Sequence, residues 1–407
     1  DTPTYVQYGA ADLGIAGMGS VLTYDPRALL SNYYNVYLSE TNDDLQKDNR
    51  IQEEIGTFYA KANIDTTLGE RVNLRGNIGL QYVRTNQKSN GVGITPAGPA
   101  AVIGVGTTYN DVLPSLNLVF DFNNGWNLRF GAAEEQMRPR INDMGAYANV
   151  GVSVGNGVAQ WSGRGGNPKL EPFRAKAVDI SVEKYFGPAS YIALAAFYKD
   201  LESYVYTSTI PWDFTGYEFD TPIPPQSNIG TFSTPANGKG GYMRGVEFST
   251  ALGGELLHPA LSGFGLLLNG SYTESSIDPD GPGGSATDTI PGLSKIVANA
   301  TVFYEKNGFS ARVSERFRDP YRGEYSYIFG QRSYRYTRNE RTIDMQLGYD
   351  FPEASRMRGV SLLLQVNNLN NEPFRTQVSD SNGLGLMFPE EYTEYGRQYL
   401  LGMRYSF

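Results

Sequence analysis

Two stretches of this chain concentrate side chains able to bind a solute. Residues 201–240 carry Tyr204, Tyr206, Trp212, Phe214, Tyr217 and Phe219. Residues 319–337 carry Tyr321, Tyr325, Tyr327, Phe329, Tyr334 and Tyr336, together with Arg322, Arg332 and Arg335 and just after Arg318. Flat aromatic faces stack on sugar rings or aromatic chelators, and the fork of a guanidinium binds carboxylates and hydroxyls. Trp161, beside Ser162-Gly163-Arg164, is a third candidate of the same kind. For each ring the plain alternative stays open, namely that it packs one stretch against another.

Catalysis and metal binding have far less to work with. His258 is the single histidine, in Leu257-His258-Pro259, and reads as an exposed turn residue. Cysteine is absent, which excludes disulfide scaffolds, thiolate zinc sites and cysteine nucleophiles. Asp278-Pro279-Asp280-Gly281 begins like a calcium loop, but it contains Pro and lacks the later bidentate Glu. It reads as a flexible outer loop. No Gly-x-Ser-x-Gly elbow or phosphate loop occurs. The expectation is therefore a protein that is not an enzyme, with no catalytic residue, no metal and no cofactor.

Strands must position the aromatic stretches. The chain has 407 residues and 34 basic against 43 acidic side chains, so it lacks the basic footprint of a nucleic-acid binder. No apolar run approaches a membrane helix; the best are short, as at Val360–Leu364. There is no initiator Met or signal peptide before Asp1, which reads as a processed or truncated polypeptide. Alternation is the dominant pattern. Tyr395, Arg397, Tyr399, Leu401, Met403, Tyr405 and Phe407 oppose Gly396, Gln398, Leu400, Gly402, Arg404 and Ser406, the period-2 signature of a strand. The same split places Val178, Ile180, Val182, Ile343, Met345 and Leu347 on one face, and Asp179, Asp344 and Gln346 on the other.

About thirteen strands follow from this pattern: 53–65, 71–84, 109–122, 125–137, 173–186, 189–200, 241–252, 263–274, 295–304, 309–318, 338–350, 358–368 and 394–407. Most hold ten or more residues, the length of tilted membrane-spanning strands rather than soluble ones. Short and long connections alternate without a break, and the long ones are 85–108, 138–172, 201–240, 275–294, 319–337 and 369–393. That arrangement belongs to an all-β transmembrane antiparallel barrel, with short periplasmic turns and long extracellular loops. Phe122, Trp126, Tyr185, Tyr191, Tyr304, Phe309 and Tyr349 flank the short turns as an interfacial girdle would. With the apolar faces in lipid, Arg312, Arg316, Asp344, Gln346 and Arg404 line a wet lumen. Glu315 breaks the pattern by sharing a face with Phe317, which reads as a bulge or the upper rim.

Three segments carry a resemblance. Leu362–Phe374 (a strand, an Asn-Leu-Asn turn and an aromatic) and Glu394–Phe407, with Gly396, Arg397, Tyr399 and the terminal Phe407, closely resemble the last two strands of TonB-dependent receptors. Gly165-Gly166-Asn167-Pro168-Lys169-Leu170-Glu171-Pro172 is similar to the stretch that enters a strand in that family, and Asp179, Glu183 and Phe197–Asp200 keep its spacing. The resemblance is strongest over 110–407. It implies a barrel of about 22 strands, occluded by an N-terminal plug. It also implies import of a scarce ligand on energy from TonB, localisation in the bacterial outer membrane, and insertion by the barrel assembly machinery.

Thirteen or fourteen strands are too few for such a barrel, and no plug or TonB-contacting box is recognisable. An open sheet would leave unpaired edges in lipid, which is not tolerated. The expectation is that residues 1–407 form the C-terminal part of the barrel, with 1–52 an outer loop and possible preceding strand, completed by more of the polypeptide or by another chain. The expected partners are lipid, TonB through the missing N-terminal part, and a small-molecule ligand, with no nucleic acid. Oligosaccharide is the first choice of ligand and ferric siderophore the second; a passive porin or adhesin barrel is the alternative function. Ligand binding is expected at Trp161, Tyr204, Tyr206, Trp212, Tyr217, Arg322, Tyr325 and Tyr327.

Overall fold

The computed structural model describes residues 7–12, 19–24, 41–155, 157–219, 221–278, 289–328, 331–379 and 386–406, with a few single positions before residue 41. Phe407, Phe329 and Pro279-Asp280-Gly281 lie outside the described residues. The chain divides into two compact units, Asp1–Asp48 and Asn49–Phe407. In the first, β1 (Gln7–Asp12) and β2 (Ser20–Tyr24) form an antiparallel hairpin. A short helix, Asn42–Leu45, is capped there by Thr41, whose hydroxyl accepts from the Asp44 amide while the Asp44 carboxylate accepts from Thr41. The stretch expected to be an outer loop and possible preceding strand contains a hairpin and a capped turn.

The second unit is built on β3 (Arg50–Leu68), β4 (Val72–Thr95), β5 (Gly98–Asp121), β6 (Trp126–Met137), β7 (Ala148–Gly155), β8 (Val158–Gly165), β9 (Phe173–Tyr185), β10 (Tyr191–Asp213), β11 (Ile229–Gly253), β12 (Phe264–Ile277), β13 (Ile296–Lys306), β14 (Phe309–Arg318), β15 (Tyr321–Ile328), β16 (Gln331–Thr337), β17 (Glu340–Asp350), β18 (Val360–Asn367), β19 (Phe374–Ser379), β20 (Met387–Thr393) and β21 (Gln398–Tyr405). All thirteen strands expected from alternation are present. They form one antiparallel meander in the order β3, β4, β5, β6, β9, β10, β11, β12, β13, β14, β17, β18, β21. Among the described residues, β3 pairs only with β4 and β21 only with β18.

Register assigns the two faces. Val313 lies opposite Met345 and Leu347 opposite Leu364, which is opposite Leu401, so these share the outer face. Arg312 opposite Gln346, Arg316 opposite Thr342, and Ser361 opposite Arg404 share the inner one. Val178, Ile180 and Val182 are 45, 47 and 42% exposed, as residues facing lipid must be in an isolated protein. Glu315 is explained without a bulge, because the β13–β14–β17 register runs unbroken. Its carboxylate takes two hydrogen bonds from Arg341, at 2.6 and 3.1 Å, so the outward charge is paired near the upper end of β14.

The long connections are the main correction. Residues 85–108 and 201–240 are mostly not loops; β4–β5 and β10–β11 continue as paired ladders, to Thr95 opposite Gly98 and Asp213 opposite Ile229. Gly, Pro and Asn made these stretches look irregular, yet glycine is what the close approach of backbones requires. A Cβ on Gly240 would lie 1.7 Å from the Leu201 carbonyl oxygen, and one on Gly241 1.8 Å from that of Ser276. Residues 138–172 hold the β7–β8 hairpin, and residues 319–337 and 369–393 together make a four-stranded sheet, β15-β16-β19-β20.

β7 pairs in parallel with β4 at Gly93–Ala148, and β8 pairs in parallel with β11 at Thr231–Ser162. The pairings β4-β5-β6-β9-β10-β11-β8-β7 and back to β4 therefore close a ring of eight strands above one half of the wall.

Candidate functional site

An apolar core holds the hairpin that closes this ring. Val150, Trp161 and Phe214 are buried, with Val152 and Phe232 packed on them. The Trp161 and Phe214 rings stack at 5.3 Å with 18° between planes, and the Tyr217 ring meets both edge-on. Phe232 lies across Gly163, where a Cβ would come within 2.5 Å of the ring. At the tip of the β10–β11 ladder, the Thr215 hydroxyl and amide donate to Asp213 and hold its carboxyl below the ordinary carboxylate range.

Polar contacts fix the inner end of the same segment. Gln87, on the inner face of β4, donates to the carbonyls of Pro168 and Leu170 at 2.9 and 2.8 Å. The Ala146 amide donates to the Ser89 hydroxyl at 2.8 Å. Asn237 exchanges two hydrogen bonds with the Glu171 backbone, at 2.8 and 2.7 Å, and Asn167 donates to the Pro235 carbonyl at 2.9 Å. The Gly165–Pro172 motif is thus a staple between β4 and β11, and its Asn and Pro serve geometry.

A cavity of about 820 Å³ is lined, among others, by Arg138, Phe173, Arg174, Lys199, Tyr204 and Tyr206. Its cations are matched by carboxylates: Arg138 with Glu53 at 2.9 Å, Arg174 with Asp111 at 2.5 Å, and Lys199 with Glu135 at 2.8 Å. Phe173 and Tyr204 meet edge-on at 5.5 Å. A site lined by both rings and ion-paired charges suits a ligand that is both planar and polar. A smaller cavity of about 400 Å³ lies against the inner face of the C-terminal strands, lined by Arg316, Asp344, Gly396 and neighbours. Among the described residues no group of three or more His, Cys, Asp or Glu could hold a metal ion.

The residues expected to bind ligand separate into groups. Tyr204 and Tyr206 line the larger cavity. Trp212, against Phe232 at 5.4 Å, and Tyr217 keep 45 and 39% of their surface exposed. Trp161, at 3% exposure, offers a ligand almost no surface and supports its neighbours instead. Arg322, at 4%, donates to the Thr289 carbonyl. Tyr325 and Tyr327 stand opposite Tyr334 and Arg332 in the β15–β16 ladder; their side chains lie outside the described residues. Arg138, Arg174, Lys199, Glu53 and Asp111 were missed. The sequence offered a signal only for the wall beside them, where the inner-face series on β4 continues past residue 84 through Thr85, Gln87 and Ser89, all buried.

The C-terminal segments form a knot. Asn368 and Asn371 adopt left-handed backbone, at φ 54° each. The Asn368 side chain accepts from the Glu372 amide and donates to the Gly396 carbonyl. Asn370 accepts from the Ile343 amide and donates to the Arg341 carbonyl, and Arg397 donates to the Leu369 carbonyl at 2.8 Å. The asparagines and Arg397 thereby fasten the upper ends of β17, β18 and β21. Tyr399 is 68% exposed on the outer face.

A family model for the TonB dependent receptor-like β-barrel matches residues 4–369. The chain belongs to that family. TonB-dependent receptor barrels reside in the bacterial outer membrane, so the outer face of the sheet meets lipid. The structure is similar to the ferric-catecholate import receptor Fiu from K12 E. coli, at TM-score 0.56 and 16% identity over 88% of this chain and 45% of that one. It is also similar to the siderophore receptor PirA from Acinetobacter baumannii, at 0.53 and 14% over 88% and 55%. The ferric yersiniabactin uptake receptor FyuA from Yersinia pestis gives 0.51 and 14% over 88% and 47%. This chain thus spans about half the length of these receptors. No curated protein sequence matches it.

Proposed function

We propose that the chain is the C-terminal part of the barrel of an energy-coupled importer, and that its ligand is a ferric siderophore. The larger cavity carries the reading: its lining brings Tyr204, Tyr206 and Phe173 together with Arg138, Arg174 and Lys199 around a space of drug-like size. A compact anionic chelate with aromatic arms would meet both kinds of surface. The names of the three structural neighbours, a ferric-catecholate import receptor, a siderophore receptor and a ferric yersiniabactin uptake receptor, point the same way. Import requires partners that supply energy and complete the wall. These are TonB, engaged through an N-terminal part, and strands pairing with the free edges of β3 and β21, since lipid does not tolerate open edges. Insertion of the completed wall falls to the barrel assembly machinery.

Oligosaccharide is the second reading, and the observation favouring it is the exposure of Trp212 and Tyr217 on the ring's outer rim. A passive porin or adhesin is the less apt alternative, because the β7–β8 hairpin spans the mouth above one half of the wall. The test is equilibrium binding and uptake by the whole receptor, with ferric tricatecholate, ferric trihydroxamate and maltooligosaccharide as probes. Loss of ferric-chelate binding in the Tyr204→Ala/Tyr206→Ala pair supports the first reading. Loss of oligosaccharide binding in Trp212→Ala/Tyr217→Ala supports the second. Uptake that persists in cells without TonB overturns energy-coupled import.

A further inference from the structure

The periplasmic turn between β11 and β12 carries three leucines, where those of β9–β10 and β17–β18 expose single apolar side chains, Phe186 at 41% and Met357 at 44%. β3–β4, β5–β6 and β13–β14 turn in a few residues of Gly, Asn, Glu and Arg, such as Asn123-Asn124 and Asn307-Gly308. Residues 254–263 instead form two single 3-10 turns, Gly254–Leu256 and Pro259–Leu261, the second capped by His258, whose Nδ1 accepts from the Ala260 amide. This turn presents Leu256, Leu257 and Leu261, at 45, 84 and 39% exposure, where a water-facing turn would carry polar residues. Within 253–263 the sole formal charge is Glu255.

Its neighbours show what covers these leucines. A Cβ on Gly254 would lie 2.9 Å from the Leu261 Cβ and 3.2 Å from the Phe264 Cβ, so Leu261 sits against the first residue of β12. Phe264 belongs to the outer face with Leu266, Leu268 and Tyr272 and packs on Tyr304 at 4.6 Å, which packs on Phe309 at 6.2 Å. The apolar surface of the turn is therefore continuous with the lower aromatic band of the lipid-facing wall. Amphipathic rings of this kind sit at the level of the lipid head groups. A one-turn helix whose leucines extend such a band would enter the boundary between head groups and acyl chains.

We propose that residues 254–262 form a membrane-dipping anchor, with Leu256, Leu257 and Leu261 inserted in the periplasmic leaflet beside Phe264 and Tyr304. The partner is the lipid surface. Inserted there, the anchor fixes the height of β11 and β12, the strands that carry one side of the closed ring.

The absence of cysteine in this chain makes the test direct. The full receptor, free of other cysteines and reconstituted in phosphatidylethanolamine–phosphatidylglycerol nanodiscs, is labelled with an environment-sensitive nitrobenzoxadiazole at Leu257→Cys or, as a polar-turn reference, at Asn124→Cys. The label at 257 should emit at shorter wavelength, be quenched several-fold more by lipids spin-labelled near the head group, and be several-fold less accessible to aqueous iodide. Equal emission and equal iodide access at the two sites overturns the proposal in favour of a water-facing or protein-facing turn. A label at Ala260→Cys keeps the test sharp: the added changes Leu256→Ser, Leu257→Ser and Leu261→Ser should abolish its blue shift while the barrel stays folded. Retention of that shift would equally count against insertion.

Discussion

The two halves of the wall solve the problem of reaching above the membrane differently. β10, with 23 residues, and β11, with 25, are long; β18 and β21 hold 8 each. At about 3.3 Å per residue and a tilt near 45°, the long strands rise roughly 50 Å and the short ones under roughly 20 Å, against an apolar band about 25 Å tall. The tall half continues its own ladders upward and closes them with a hairpin around an apolar core. The low half stops at an asparagine knot and hands the upper structure to a separate sheet, β15-β16-β19-β20. Order above the membrane thus comes from an apolar core with a polar staple in one half, and from side-chain hydrogen bonds alone at the strand ends of the other. The larger cavity lies in the packed half, where Tyr204 and Tyr206 stand opposite Gly238 and Ala236 in the β10–β11 ladder.

The largest effect should come from removing the ring's central side chain. Trp161→Ala empties a fully packed site, a change that typically costs about 3–5 kcal/mol. Because the ring stands on an intact wall, the loss should appear as local opening. Hydrogen exchange should accelerate across 158–165, 203–213 and 229–239 and stay unchanged in β17, β18 and β21. Uniform acceleration of the whole chain would erase the distinction between the halves. Next comes a charge in the lipid band of the low half. Leu347→Arg should cost about 2–4 kcal/mol in folding into bilayers, the midplane penalty for a cation. Ile210→Arg, on the tall half above the membrane, should be nearly silent in the same assay. Equal costs would mean that the upper ladders also meet lipid.

A smaller loss is expected at the knot. Asn370→Ala leaves the Ile343 amide and the Arg341 carbonyl without their side-chain partner, and an orphaned polar group costs about 1–3 kcal/mol when buried, less when water can reach it. The measurement is exchange of the Ile343 amide, which should accelerate while the Trp161 region does not change.

Much of the wall was legible because lipid on one side and water on the other impose a period of two that no local propensity obscures. Val178, Ile180 and Val182 against Asp179 needed no further information. The long connections were not legible in the same way. Gly238, Gly240 and Gly241 look like loop, and only the Tyr206 ring against the first and the Leu201 and Ser276 carbonyls against the other two reveal why glycine stands there. Trp161 illustrates a second limit, since a ring that binds and a ring that packs have the same sequence signature. The cavity cations were hidden for a third reason. Arg138 and Arg174 lie far in sequence from Glu53 and Asp111, and only the register brings each pair together.

The smallest effect concerns the low half's upper sheet and is read by pH. Arg335 on β16 donates twice to Glu390 on β20, and Thr376 on β19 donates to the same carboxylate at 3.0 Å. The Arg335 guanidinium, first, and the Thr376 hydroxyl hold the Glu390 carboxyl below the ordinary carboxylate range, against a smaller opposing effect of burial. A depressed value in the folded state means the contribution is present above the unfolded value and fades as pH falls through the folded one. The sheet should therefore loosen in acid, by less than about 1 kcal/mol, because the pair is largely exposed and screened. Exchange rates in 374–379 and 387–393, corrected for intrinsic chemistry, should rise as the pH is lowered through the acidic carboxylate range. Glu390→Gln should remove that dependence, leaving the sheet equally loose at neutral pH. The tall half supplies the control, since its core of Val150, Trp161 and Phe214 contains no group that titrates there. An acid response of equal size in 158–165 would show that the two upper structures are coupled rather than separately built.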